Sequence, residues 1–128
     1  GLAARTEFKV GSGVEPVERD RFDLVVSYQP YIESDGLGGR GPDVGLYDPR
    51  GALDGGADGL DLYRLILRGL PGVIGLGWVV FEVGDDQADA VLALMARQPD
   101  SYAVDSSRVY LDMAGRRRCV AVKTLTRD

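Results

Sequence analysis

The residues best equipped for chemistry in this chain stand at the end of an apolar run. Residues 22 to 28 read FDLVVSY, and Ser27, Tyr28, Gln29, Pro30 and Tyr31 follow one another where the run stops. A turn of that composition can stack on and hydrogen-bond a ligand, and the same residues also serve as plain turn chemistry. A second such place is Glu82, which closes the run WVVFEV and precedes Gly84, Asp85 and Asp86. Its carboxylate can orient a ligand or cap the helix that follows.

Other chemistries are ruled out by composition. The chain has no histidine, which removes Ser-His and Cys-His nucleophilic catalysis and the common zinc sites. The single cysteine, Cys119, lies in the alternating run RCVAVKTL and reads as a strand residue, not a nucleophile. Asp54, Asp58 and Asp61 are interleaved with glycines and read as turn and cap residues, so no metal is expected. A net charge of −5 and a pI near 4.7 argue against binding to a phosphate backbone. The local exception, Arg116-Arg117-Arg118, reads as a solvated hairpin tip. No run reaches transmembrane length and no signal peptide is legible, so a cytoplasmic protein without membrane or nucleic-acid partners is expected.

These residues need elements to position them. At 128 residues the chain is expected to form a single domain, 1–128. TEFKV (6 to 10) alternates like a short strand and meets a Gly-Ser-Gly turn. The continuous apolar run FDLVVSY predicts a strand buried on both faces. The glycine-rich stretch 36 to 59 reads as a long loop. Asp58 then caps a helix running to about Arg68, stopped by Gly69 and Pro71. WVVFEV (78 to 83) predicts a second central strand, with Trp78 in the core. Asp85 or Asp86 caps a second helix, in which Ala88, Val91, Leu92 and Met95 share a face; Pro99 ends it. Strands follow near SYAVDS, RVYLD and RCVAVKTL, the last two forming an antiparallel hairpin around MAGRR. The pattern is α/β, with a layered sheet. Ligands in such sheets bind beyond the carboxyl ends of the strands, which places 27 to 31 and 82 to 86 on one rim.

Four segments in order, RFDLVVSYQPYI, DVGLYDPRGALDGGADGLDLYRLIL, GWVVFEVGDDQADAV and DMAGRRRCVAV, resemble the release-factor glutamine methyltransferases. Those are class I enzymes that use S-adenosylmethionine to methylate a glutamine side-chain amide in a Gly-Gly-Gln loop. The resemblance covers essentially the whole chain but only the C-terminal half or so of a family member. It implies a partial Rossmann-like methyltransferase sheet with crossover helices and a C-terminal antiparallel hairpin, lacking the first strands of the full fold. By resemblance, Tyr28, Gln29, Pro30 and Tyr31 fall at the substrate, and Ser12, Ser27 and Glu82 on the S-adenosylmethionine side.

The departures from the family pattern fall where it touches its ligands. The hallmark turn is Asn-Pro-Pro-Tyr preceded by Ser, and here it reads Ser27-Tyr28-Gln29-Pro30-Tyr31. The asparagine amide offers a donor and an acceptor together; the Tyr28 phenol cannot copy that, and the Gln29 amide sits one position along on a longer arm. Where the family carries Gly-Asp, this chain has Gly11-Ser12-Gly13, a hydroxyl without charge. The family's glycine-rich cofactor loop has no counterpart here, and a lone Gly-x-Gly does not replace it. Two readings stay open. In the first, the chain is a methyltransferase-derived scaffold without methyl transfer of its own, self-associating through an open sheet edge. In the second, it is an active methyltransferase acting on a glutamine amide, with its cofactor site completed by another subunit. Binding of a Gly-Gly-Gln protein loop without chemistry would use the same rim.

Overall fold

The computed structural model describes residues 1–28, 59–84 and 86–125. The two apolar runs become strands β1 (Phe22–Ser27) and β2 (Ile74–Glu82). They pair in parallel, with Leu24 beside Trp78, Val25 beside Val79 and Ser27 beside Phe81. Helix α1 (Asp61–Gly69) precedes β2; its buried Tyr63, Ile66 and Leu67 follow the i, i+3, i+4 spacing of a single face. A 3₁₀ turn, Leu70–Gly72, ends it at Pro71, whose ring cannot continue the α-helical ladder. Helix α2 (Ala88–Ala96) buries Ala88, Val91 and Met95. Strands β3 (Tyr102–Leu111) and β4 (Arg117–Thr124) form the antiparallel hairpin. The sheet order is β1-β2-β4-β3, so β4 returns to lie antiparallel to β2.

This is the α/β layered fold with a C-terminal hairpin. The side chains on one sheet face, Val79 and Phe81 of β2 and Val120 and Val122 of β4, are fully buried and join one cluster with Tyr63, Leu67, Val91, Met95 and Tyr102. Both helices contribute to that cluster, so both lie on the same side. The Tyr63 and Phe81 rings meet edge to face with centroids 5.3 Å apart. Burial also sets one polar position: the Tyr102 hydroxyl donates to the Leu67 carbonyl at 2.7 Å, and desolvation pushes this phenol above its usual range.

β2 carries an irregularity where it leaves α1. The pairing with β1 slips between Phe22 and Leu24, opposite Gly75, Leu76 and Gly77. A side chain at Gly77 would collide with the Asp23 carbonyl, which is why glycine stands there. Thr124 staples the bulge: its hydroxyl donates to the Gly75 carbonyl at 2.6 Å and accepts from the Gly77 N–H at 2.9 Å.

The structure departs from the sequence reading in five places. Residues 6–10 form no strand, because a strand needs a neighbour for its hydrogen bonds and no described segment supplies one. β1 is not buried on both faces; among the described strands it lies at the sheet edge, with Leu24 56% and Val26 68% exposed. Trp78 shares their face and is half-buried, outside the core cluster. The two strands expected near SYAVDS and RVYLD are one strand, β3, with a register shift between Ala103 and Arg108. The N-caps differ as well: Leu60, not Asp58, stands there in α1, and Gln87, not Asp86, in α2. Asp54, Asp58, Asp85 and most of the glycine-rich stretch 36 to 59 lie outside the described residues.

Candidate functional site

Because β1 and β2 are parallel, their carboxyl ends point the same way. Ser27 closes β1 beside Phe81, and Glu82 is the next and last residue of β2, so Ser27, Tyr28 and Glu82 lie at one rim. Tyr28 is 74% exposed there. Gln29, Pro30 and Tyr31, which complete the expected substrate turn, lie outside the described residues.

The β2 side of the rim is fixed from below. The Tyr63 hydroxyl donates to the Glu82 carbonyl at 2.6 Å, tying α1 to the strand end. The Val83 N–H donates to the Arg118 carbonyl at 2.9 Å, which prolongs the pairing with β4. The Gly84 N–H donates to the Gln87 Oε1 at 3.1 Å, which closes the turn into α2. Sequence reasoning singled out neither Tyr63 nor Gln87 at this rim. The available signal was a tyrosine on a buried face, whose hydroxyl must find an acceptor.

Ser12 is placed differently. It sits on an exposed turn, its carbonyl accepting the Glu15 N–H at 3.1 Å. Gly13 next to it has φ 56°, the left-handed region, and packs against the Leu65 side chain of α1. Between this turn and β1 runs an open groove of about 320 Å³, lined by Gly13, Val14, Val17, residues 22 and 24 to 27, Ile66 and Val73. Gly13 and Ser27 thus share a groove, whereas Ser12 and Glu82 do not line it.

S-adenosylmethionine presents a sulfonium, an amino-acid head and a ribose diol, all of which need polar or charged partners. The groove offers Ser27 as its one polar side chain among the described residues, and its walls are aliphatic or aromatic. An adenine ring would suit those walls; the rest of the molecule would not. This groove alone therefore does not fit the whole cofactor; a charged pocket that carries Arg5, Glu7, Lys9, Asp20 and Arg21 adjoins it, sharing Gly13, Val17 and Phe22.

The remaining candidates are accounted for locally. Cys119 faces Glu82 across the β2–β4 ladder, and burial together with that carboxylate pushes its thiol up, away from the reactive thiolate. Asp112 gathers the arginine tip: its carboxylate accepts from the Ala114 and Arg116 N–H groups, both at 2.9 Å, and from Arg116 Nε at 3.0 Å and Arg118 Nε at 3.2 Å. Those donors hold it down to about 2. Arg117 pairs with Asp89 of α2, lowering that carboxyl and raising the guanidinium. Asp61 is paired with Arg64 at 3.1 Å. Among the described residues no three His, Cys, Asp or Glu side chains gather as metal ligands, and no helix is long and apolar enough to cross a membrane.

Comparison with known proteins supplies what the geometry leaves open. No protein-family profile matches the chain. The release factor glutamine methyltransferase of Geobacter sulfurreducens is 46% identical over 95 residues, which cover 73% of this chain and 34% of the relative. Those of Moorella thermoacetica and Rhodospirillum rubrum are 42% identical over 120 residues and 36% identical over 124, covering 93% and 96% of this chain and 41% and 37% of the relatives. In sequence, the chain belongs to the release factor glutamine methyltransferase family. It spans about two-fifths, or less, of the length of these relatives. A solved structure, a release-factor-specific protein-(glutamine-N5) methyltransferase from Alicyclobacillus acidocaldarius, aligns with a TM-score of 0.45 at 19% identity, covering 89% of this chain and 87% of that one.

Proposed function

We propose that this chain is the substrate-side scaffold of a glutamine methyltransferase and does not transfer methyl groups by itself. The observation that carries the reading is a contrast at the carboxyl ends of β1 and β2. There, Ser27, Tyr28 and Glu82 are brought to one rim, while the groove beside it has aliphatic and aromatic walls and, among the described residues, Ser27 as its one polar side chain. Methyl transfer to an amide asks the protein chiefly to set the nitrogen in line with the sulfonium, and the described lining of this groove offers a sulfonium no charged partner. Tyr28, Gln29, Pro30 and Tyr31 occupy the positions of the family's amide-binding turn, and the loss of its asparagine removes the paired donor and acceptor. The rim retains the position for a Gly-Gly-Gln loop, not the grip. The reading treats residues 1–128 as one domain and the protein as cytoplasmic.

The test is an isothermal titration of S-adenosylmethionine into the purified chain, paired with a methylation assay on a Gly-Gly-Gln peptide. No heat up to millimolar ligand and no labelled peptide are expected. Micromolar binding with turnover lost in Gln29→Ala would overturn the reading in favour of an active enzyme whose cofactor site is completed between subunits. Peptide binding without cofactor, and without turnover, would support it.

A further inference from the structure

The hairpin of β3 and β4 ends in a tip that overhangs the rim. β4 runs antiparallel to β2, so its amino end lies at the carboxyl end of β2, with Cys119 beside Glu82 and the Arg118 carbonyl accepting the Val83 N–H. The hairpin continues past that level: Leu111 pairs with Arg117, and the Asp112 N–H donates to the Arg116 carbonyl at 2.8 Å. At about 3.3 Å per residue, the tip stands roughly 10 Å beyond Glu82. Two strand spacings, again about 10 Å, separate β4 from Ser27 at the end of β1.

This tip is braced and apolar. The Asp112 carboxylate locks the turn through donors from Ala114, Arg116 and Arg118, and Arg117 ties it to Asp89 in the first turn of α2. What it presents to water is Leu111, 62% exposed, and Met113, wholly exposed, with Tyr110 half-exposed next to them. Chain reversal needs no such side chains; turns are made by small and polar residues. Large apolar groups on a braced turn lose little freedom on association, and methionine, tyrosine and arginine are the types that interfaces favour. We propose that this tip docks an apolar patch on the body of the protein whose Gly-Gly-Gln loop enters the rim. The inference rests on the rim reading under Proposed function and adds a second contact to it. A loop that reaches Ser27 and Tyr28 brings the rest of its protein against an overhang of this height. With the paired amide donor and acceptor gone from the turn, contact outside the rim supplies the affinity that the turn no longer does.

The test titrates an intact bacterial release factor, and separately a short peptide of its Gly-Gly-Gln loop, into the isotope-labelled 128-residue chain. The release factor is expected to shift the amide resonances of Met113, Ala114 and Gly115 together with that of Tyr28, and the peptide to leave the tip resonances in place. Leu111→Ser with Met113→Ser changes two exposed side chains, leaves the circular dichroism unchanged, and is expected to weaken release-factor binding about tenfold or more. Shifts at Tyr28 without shifts at the tip, or equal affinity in the variant, overturn the docking surface and leave the rim reading standing. A release factor that does not bind the native chain overturns both. A native chain that sediments as a dimer, and as a monomer once the two serines are in place, also overturns the proposal, because a second copy then occupies the tip.

Discussion

The two faces of the sheet are made by alternate residues of the same strands, and they meet different surroundings. Val79 and Phe81 point into a layer of two helices; Trp78 and Val80, their immediate neighbours, point to a side where no described helix lies. Within residues 78 to 81 of β2 the side chains on both faces are apolar. What separates them is coverage, which is a property of the assembly of elements and not of the strand. Hydrophobic periodicity writes a strand; it does not say how many of its faces will find a partner.

The sharpest way to break that contrast is Phe81→Ala. It removes a fully buried ring and its edge contact with Tyr63, and should cost about 3–5 kcal/mol in urea unfolding. Val79→Thr places a hydroxyl in the same dry layer and should cost about 1–3 kcal/mol. Tyr63→Phe leaves the packing and removes the donor to the Glu82 carbonyl; about 1 kcal/mol is expected, with the amide resonances of Glu82 and Val83 shifting in an NMR spectrum. Acid acts on a third region. The Asp112 carboxyl is held at about 2, below its ordinary 3.8, so its contribution is present above the unfolded value and fades as pH falls from near 4 towards 2. In Asp112→Asn the acid limb of the stability profile should be flatter across that window, as read from urea midpoints at successive pH values. The smallest effect is expected from Val80→Thr, within about 0.5 kcal/mol. A cost equal to that of Val79→Thr would mean that the open face is covered after all.

Much of the architecture was legible because its signals are local. Both parallel runs, both helices and the closing hairpin follow from apolar spacing, Pro71, and the turn around Gly115, whose φ of 81° suits glycine. What sequence missed depends on partners far along the chain. TEFKV has a strand's pattern but no described neighbour to pair with. Trp78 looks like core until its face is seen to lack a layer. The N-cap at Gln87 was masked by two nearby aspartates, the usual cap residues; its amide oxygen closes the turn at Gly84 and makes no cap bond to the helix. Of the candidate site, Ser27 and Glu82 could be placed on one rim from parallel pairing alone. Ser12 could not be located, because its turn is positioned by Leu65, a contact without any sequence signature.

The position of β4 between β2 and β3 also sets an order of events in time. β2 is flanked by a strand made well before it and one made well after it, and Thr124 reaches back 49 residues to fasten Gly75. While the chain emerges from a ribosome, Val79 and Phe81 are synthesised long before Val120 and Val122 exist to cover them. The sheet's centre therefore closes late, through a long-range antiparallel contact that is slow to form, and the nascent chain carries an exposed apolar strand through that interval.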